Sequence, residues 1–327
     1  MEAHGLEVSE ETNQSPVPLH EGPLETLTMA WGETLAFLSV HATWLGRPNA
    51  VSVHRTKALL NATPDEWELH MSGGFDLPIG GQVGAMVTAD WKLKGAAPLV
   101  VEWPARRSAG SPIPIDAVRE DGTKGGFDMF GYADRIDAVV LSDEQQDVLI
   151  ASGVLSDEHH DTPYPLDGQP RGAQRLIVVR DLKTVNGPKV DRAGLRHARC
   201  VFEDLQLALY ARAWEVAHPN DRVVGVGATE IGEQTVHYVE LDEALDGIAS
   251  TLMLGDVTEH LRHHFPVTEA DGEGQTAFRR WMAERLKVAQ RAVDAMANGH
   301  ANATPGRHCS YCSLQDACDV AELGGGR

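Results

Sequence analysis

The residues best suited to chemistry in this 327-residue chain lie in the stretch Arg-Asp-Leu-Lys-Thr at 180–184. Side chains along a strand alternate faces, so Asp181 and Lys183 share one face while Leu182 takes the other. A carboxylate and an ammonium are thereby held side by side at the end of an apolar run. Such a pair suits phosphodiester hydrolysis. The carboxylate binds a divalent metal, and the ammonium orients attacking water and offsets charge growing on the phosphorus centre. Asp-x-Lys also occurs as an ordinary surface ion pair, so the reading needs further ligands. Asp134, in Gly-Tyr-Ala-Asp-Arg-Ile-Asp at 131–137, supplies a second carboxylate, and Mg2+ uses one or two carboxylates with water and phosphate. Asp137, three positions on, falls on the opposite face and reads as a salt bridge or strand-end cap. Gln206 and Tyr210 are four apart on a helix and point the same way. A Gln on a Leu/Ala-rich helix needs a polar partner, which a Lys or a scissile phosphate would provide.

Cysteines form a second constellation. Cys309, Cys312 and Cys318 cluster near the end of the sequence, and Cys200 is the fourth and last. Three clustered thiols do not resemble the spread framework of a secreted disulfide protein; metal or cluster ligation fits better.

These groups need elements to hold them. "FGYADRIDAVVL" and "RLIVVRDLKT" are β-branched runs that predict two strands of a mostly buried sheet. "VFEDLQLALYARAWEVA" predicts one helix ending before Pro219, and "RVVGVGATE" with "QTVHYVEL" predicts a hairpin across Ile231 and Gly232. A long helix, "FRRWMAERLKVAQRAVDAMANG", leads into the cysteine segment. Upstream, residues 1–25 carry six Glu and no Lys or Arg and read as a flexible acidic tail. Leu27 to Leu60 reads as helical with a break at Pro48 and Asn49. Residues 61–125 read as strands and loops, an insertion of unassigned role.

Composition bounds the partners. Lys and Arg number 28 against 48 Asp and Glu, a net charge of −20, which disfavours a polyanionic partner for the chain as a whole. Locally the balance reverses: from Arg171 to Arg199 there are eight basic and two acidic residues. No run of eighteen apolar residues occurs and the first basic residue is Arg47, so a cytoplasmic location is expected.

Taken in order, Gly-x-x-Asp, Asp-x-Lys, Gln-x-x-x-Tyr and Cys-x2-Cys-x5-Cys resemble the PD-(D/E)XK nuclease superfamily, and within it the RecB/AddB-like and CRISPR-associated exonuclease group. The resemblance covers roughly 127–320. It implies an α/β fold with a restriction-endonuclease-like core, a central mixed sheet flanked by helices, and a domain spanning 26–327. It implies Mg2+- or Mn2+-dependent DNA cleavage, exonucleolytic and coupled to a helicase or other partner. Asp134 and Asp181 would bind metal, Lys183 would be the catalytic lysine, and Gln206 and Tyr210 would support Lys and phosphate. The group's metal-binding His on an early helix has no clean copy; His54 is the first choice and His41 the second. Arg180, Lys189, Arg192, Arg196 and Arg199 become a track for the DNA backbone, with Arg279, Arg280, Arg285, Lys287 and Arg291 as a second wall. The cysteines would hold a 4Fe-4S cluster that clasps the last helix to the core, with Zn2+ as the alternative. The group's fourth cysteine lies near the N-terminus, and no cysteine precedes Asp134 here; Cys200 is the only other thiol and reads as a plain buried thiol ahead of a ligand, His308 is the alternative that would complete a zinc site, and a degenerate, empty site is the third reading. A catalytically idle scaffold of the same fold is the rival reading.

Overall fold

The computed structural model describes residues 89–90, 93–107, 110–166, 171–184, 194–231, 235–267 and 274–300. Its centre is a six-stranded mixed sheet in the order β1 (Ala96–Pro104), β4 (Tyr132–Val139), β5 (Arg175–Thr184), β6 (Asp221–Ile231), β7 (Val236–Leu241) and β8 (Asp256–Thr258). β5 and β6 run parallel, as do β7 and β8; the other neighbours are antiparallel. The parallel β5–β6 pair needs a crossover, and α2 (Leu195–Phe202) and α3 (Gln206–Ala217) supply it. Together with α5 (Ala277–Ala297) they cover one sheet face, burying Ile177, Val179, Leu207, Ala211, Phe278 and Trp281. The other face buries Leu176, Val178 and Val239 against Leu149 of α1 (Asp143–Ala151) and the loops around Leu245 and Leu254. β5 therefore alternates: Ile177 and Val179 face the helices, Leu176 and Val178 the opposite side.

The expected strands, hairpin and last helix are all present, and the expected α/β class with a flanked mixed sheet holds. One expectation needs correction. The segment 201–217 is not one helix; α2 ends at Phe202 and α3 begins at Gln206. The break is supported from α5, where Trp281 Nε1 donates to the Val201 carbonyl at 2.8 Å and Arg285 donates to the carbonyls of Glu203 and Asp204 at 3.0 and 3.2 Å. Carbonyls that a continuous helix would satisfy internally are satisfied across the core instead. Part of the 61–125 region has a clear packing role. Its strand β2 (Ile113–Val118) forms a two-stranded ribbon with β3 (Lys124–Met129), and Ile113, Ile115 and Ala117 bury against the helical core. A last short helix, α4 (His260–His264), packs beside α5.

Asp137 is the salt bridge the alternation predicts. It is fully buried, receiving Arg135 Nε on one oxygen and Arg180 Nε on the other, each at 2.6 Å. Arg135 also forks onto Asp90 at 2.7 and 2.8 Å, and Arg180 reaches the Leu254 carbonyl at 2.7 Å. Removing one partner of a buried ion network strands the others. Asp137→Ala is therefore expected to cost about 3–5 kcal/mol, read as a lower urea midpoint with an unchanged slope.

Candidate active site

Asp181 and Lys183 extend the Ile177–Val179 face of β5, so both point at the crossover helices, as the alternation requires. Lys183 Nζ lies 2.7 Å from Asp181 Oδ2 and donates to Gln206 Oε1 at 3.3 Å. The Gln206 partner foreseen from its apolar helix is thus Lys183. β4 brings in the second carboxylate: Arg135 pairs with Arg180, and one step further Asp134 Oδ2 accepts the Leu182 backbone N–H at 2.6 Å. Asp134 also hydrogen-bonds Asp181 through the carboxyl groups.

Gly131 explains the Gly-x-x-Asp spacing. A Cβ there would sit 2.7 Å from the Tyr210 hydroxyl, so only a residue without one lets the Tyr210 ring lie over the strand at the start of the motif. Tyr210 is partly buried, its hydroxyl end lying against Gly131. Four of the five proposed catalytic residues, Asp134, Asp181, Lys183 and Gln206, are thereby linked by hydrogen bonds, and Tyr210 packs against the same stretch of β4.

The electrostatics are those of a crowded acidic site. Burial, reinforced by the neighbouring Asp181 carboxyl, raises Asp134 to about 8, so at neutral pH Asp134 holds its proton. Burial would lower the Lys183 ammonium, but attraction to Asp181 outweighs it and the net shift is upward; Lys183 stays charged. Two facing carboxyls, held against their own repulsion, are the oxygen donors that suit a hard divalent cation, and Asp134 and Asp181 are the residues that would hold one. No group of three or more His, Cys, Asp or Glu able to hold a metal occurs among the described residues. His54 and His41 lie outside them.

Cys200 takes the plain buried position, the preferred reading of it over a cluster ligand. It is 1% exposed within the helix-side core, and its thiol donates to Asp181 Oδ2 at 3.4 Å. Burial pushes that thiol up, away from the thiolate a metal requires. The neighbouring geometry explains its place: Glu230 of β6 accepts the first backbone N–H groups of α2 at 3.1 Å each, fixing that helix so that Cys200 faces β5. Sequence position alone could not have put a residue of α2 against Asp181. Cys309, Cys312 and Cys318 lie outside the described residues.

The basic track also changes. Arg180 is fully buried on Asp137 and cannot touch a nucleic acid. Arg199 remains near the surface with a long contact of 3.9 Å to Glu203, and Arg196 lies half-buried at the start of α2. Lys189 and Arg192 fall outside the described residues. In the suggested second wall, Arg279 is buried on Glu215 at 2.7 Å, Lys287 pairs with Glu284 and Arg291 with Glu120. Arg280 donates to the Pro266 carbonyl, and Arg285 holds the α2–α3 break. Of these five α5 cations Arg279 is buried, while the other four lie half-buried or exposed and are engaged by neighbouring groups. No helix among the described residues is long and apolar enough to cross a membrane.

Residues 166–319 match the family model of the PD-(D/E)XK nuclease superfamily. The match takes in Asp181, Lys183, Gln206, Tyr210 and the three clustered cysteines, and begins downstream of Asp134, whose place in the site rests on the geometry above. No curated protein matches the chain.

Proposed function

We propose, from the premise that residues 166–319 are a PD-(D/E)XK nuclease superfamily domain, that this protein hydrolyses phosphodiester bonds of DNA in a Mg2+- or Mn2+-dependent reaction. The single observation carrying the reading is the convergence of Asp134, Asp181 and Lys183 from two adjacent strands. Asp134 and Asp181 would hold the cation. A divalent cation held by these two carboxylates would supply Lewis-acid activation of water and charge screening at the phosphate. Lys183, kept charged by Asp181 and steadied by Gln206, faces the same space and neutralises negative charge that grows as the P–O bond forms. Cys200 and the Leu182 N–H fix the carboxylates from behind, which keeps their oxygens oriented before substrate arrives. Gly131 leaves room for Tyr210 to close one side of the site.

The finer reading is an exonuclease of the RecB/AddB-like group, acting with a helicase or other DNA-binding partner. Support for a partner comes from charge: the chain carries −20 overall, and several of its arginines are consumed in internal pairs. In filter binding the isolated protein should hold duplex DNA weakly; tight, salt-sensitive retention contradicts the partner requirement. Comparing linear with covalently closed circular DNA in Mn2+ tests the exonuclease reading. Degradation confined to the linear form is expected, and equal loss of both forms refutes it. The structural 4Fe-4S cluster, or Zn2+, at Cys309, Cys312 and Cys318 belongs to the same proposal, without Cys200. A brown colour with iron on analysis supports the cluster, a colourless zinc protein the alternative.

A further inference from the structure

Each carboxylate of the site has an arginine as sequence neighbour: Arg135 follows Asp134 and Arg180 precedes Asp181. Alternation sends both guanidiniums to the far face of the sheet, and the register sets the two residues opposite one another. Asp137 joins them there, one oxygen to each at 2.6 Å. The strands that carry Asp134 and Asp181 are thereby braced directly beneath the carboxylates. A buried ion network gains little stability over apolar packing of the same volume, and this face is otherwise apolar, with Leu176, Val178 and Val239. Stability alone does not account for charges placed there.

The brace continues beyond Arg135. Its guanidinium forks onto Asp90 at 2.7 and 2.8 Å, and Asp90 Oδ1 lies 2.9 Å from His237 Nε2 on β7. With Asp90 before Nε2 the ring's proton belongs on that nitrogen, which leaves Nδ1 to accept the Thr229 hydroxyl of β6 at 2.8 Å. Thr229 in turn sits beside Leu182 in the parallel β5–β6 register, and Leu182 is the residue whose N–H Asp134 accepts. The series of contacts thus leaves the site at Asp134 and returns to it at Leu182. The Asp90 side chain is 7% exposed, and those of Arg135, Asp137, Arg180 and His237 less. Burial would raise the Asp90 carboxyl, but Arg135 and His237 hold it well below the usual carboxylate range. Burial keeps the His237 imidazole below its ordinary value despite Asp90. Two arginines then face two carboxylates and a neutral imidazole, and the network carries no net charge.

We propose that Asp90, His237 and Thr229 are positioning residues of the metal site, holding Asp134 and Asp181 at cation-binding separation through Arg135, Asp137 and Arg180. The inference rests on the metal-dependent reading of the site and names what presets it. Two carboxylates that repel one another when both are ionised stay together only on a rigid frame. Groups behind metal-binding carboxylates orient them, and loss of such a group weakens metal affinity by about ten- to a hundredfold. Without the Asp90 charge, Arg135 keeps a single carboxylate and one positive charge beneath β4 is left uncompensated, so Arg135 can turn and carry Asp134 with it.

The test is calorimetric titration of Mn2+ into the full-length chain at one fixed pH, scoring the binding that Asp134→Asn/Asp181→Asn lacks. Asp90→Asn should weaken that binding about tenfold. Asp242→Asn is the comparison. It takes the charge from a fully buried carboxylate 2.8 Å from Arg222, at the opposite end of β6 from Thr229, and should lower the melting temperature while Mn2+ affinity stays at the wild-type value. Thr229→Val keeps the side-chain shape and removes only the hydroxyl behind His237. It should weaken Mn2+ about threefold, the scale of one hydrogen bond, whereas Thr229→Ser, which keeps the hydroxyl, should bind as wild type does. Should Asp90→Asn fail to fold, the Thr229 pair decides. Equal weakening in Asp90→Asn and Asp242→Asn, or wild-type affinity in Thr229→Val, overturns the proposal, and a wild type that takes up no Mn2+ overturns it together with the reading beneath it. Mn2+-dependent cleavage run in parallel keeps the two apart. Affinities that shift as expected without any cleavage refute only the nuclease, and cleavage with unshifted affinities refutes only this inference.

Discussion

Lys183→Ala should lower the rate of the proposed phosphodiester hydrolysis by about 10³-fold, the scale of losing one preorganised group that meets charge developing in a transition state. The loss should fall on kcat more than KM, because the ammonium gains most when the attacked phosphate becomes more negative than the bound substrate. Folding should be almost unaffected. Lys183 is 29% exposed and its partner Asp181 keeps the Cys200 thiol, and partly exposed ion pairs are worth about 1 kcal/mol or less. Lys183→Arg should not rescue the rate, since a planar guanidinium cannot place a point charge where Asp181 and Gln206 hold the ammonium. Steady-state kinetics with thermal unfolding of both variants checks this. A Lys183→Ala protein of normal stability and normal kcat removes Lys183 from the chemistry.

Asp134→Asn separates function from stability in opposite directions. Hydrolysis should fall by about 10³-fold, because one of two carboxylates that would hold the cation becomes a neutral amide. The metal-free protein should become more stable near neutral pH. Asp134 sits at about 8 in the fold against 3.8 for a free side chain, so between those values the folded state binds a proton that the unfolded chain does not. Stability of the wild type then falls as pH rises through that window, and is fully retained only below about pH 4. Asn carries the hydrogen bonds without titrating: its oxygen can accept the Leu182 N–H and its amide can donate to Asp181. With EDTA present, the variant should gain about 1–3 kcal/mol over wild type at pH 7, or about 2–4 °C per kcal/mol. The gain should vanish near pH 4. Added divalent cation should stabilise wild type increasingly with pH and leave the variant unmoved. Melting curves across pH with and without metal decide it, and a variant less stable than wild type at pH 7 in EDTA means the two carboxyls do not oppose one another.

Much of the site was legible because its logic is local. β-Strand alternation alone places Asp181 with Lys183 and sends Asp137 to the other face, and helical spacing alone pairs Gln206 with Tyr210. What escaped is long-range. Arg180 looked like part of a basic track because one-dimensional charge counting cannot tell a surface guanidinium from one buried on a carboxylate 43 residues away. Cys200 looked spare because nothing in its own segment reveals that α2 turns it towards β5. The α2–α3 break depends on donors from α5, about eighty residues downstream, so no pattern in 201–217 encodes it.

The central claim is that Asp134 and Asp181 together support metal-dependent cleavage of nucleic acid. The most direct measurement follows nucleotide release from linear DNA by the purified full-length chain in Mg2+, Mn2+ or EDTA, beside the Asp134→Asn/Asp181→Asn protein. Release in Mg2+ or Mn2+, none in EDTA, and none from the double variant is the expected result. Release that persists in EDTA, or that the double variant matches, contradicts the account.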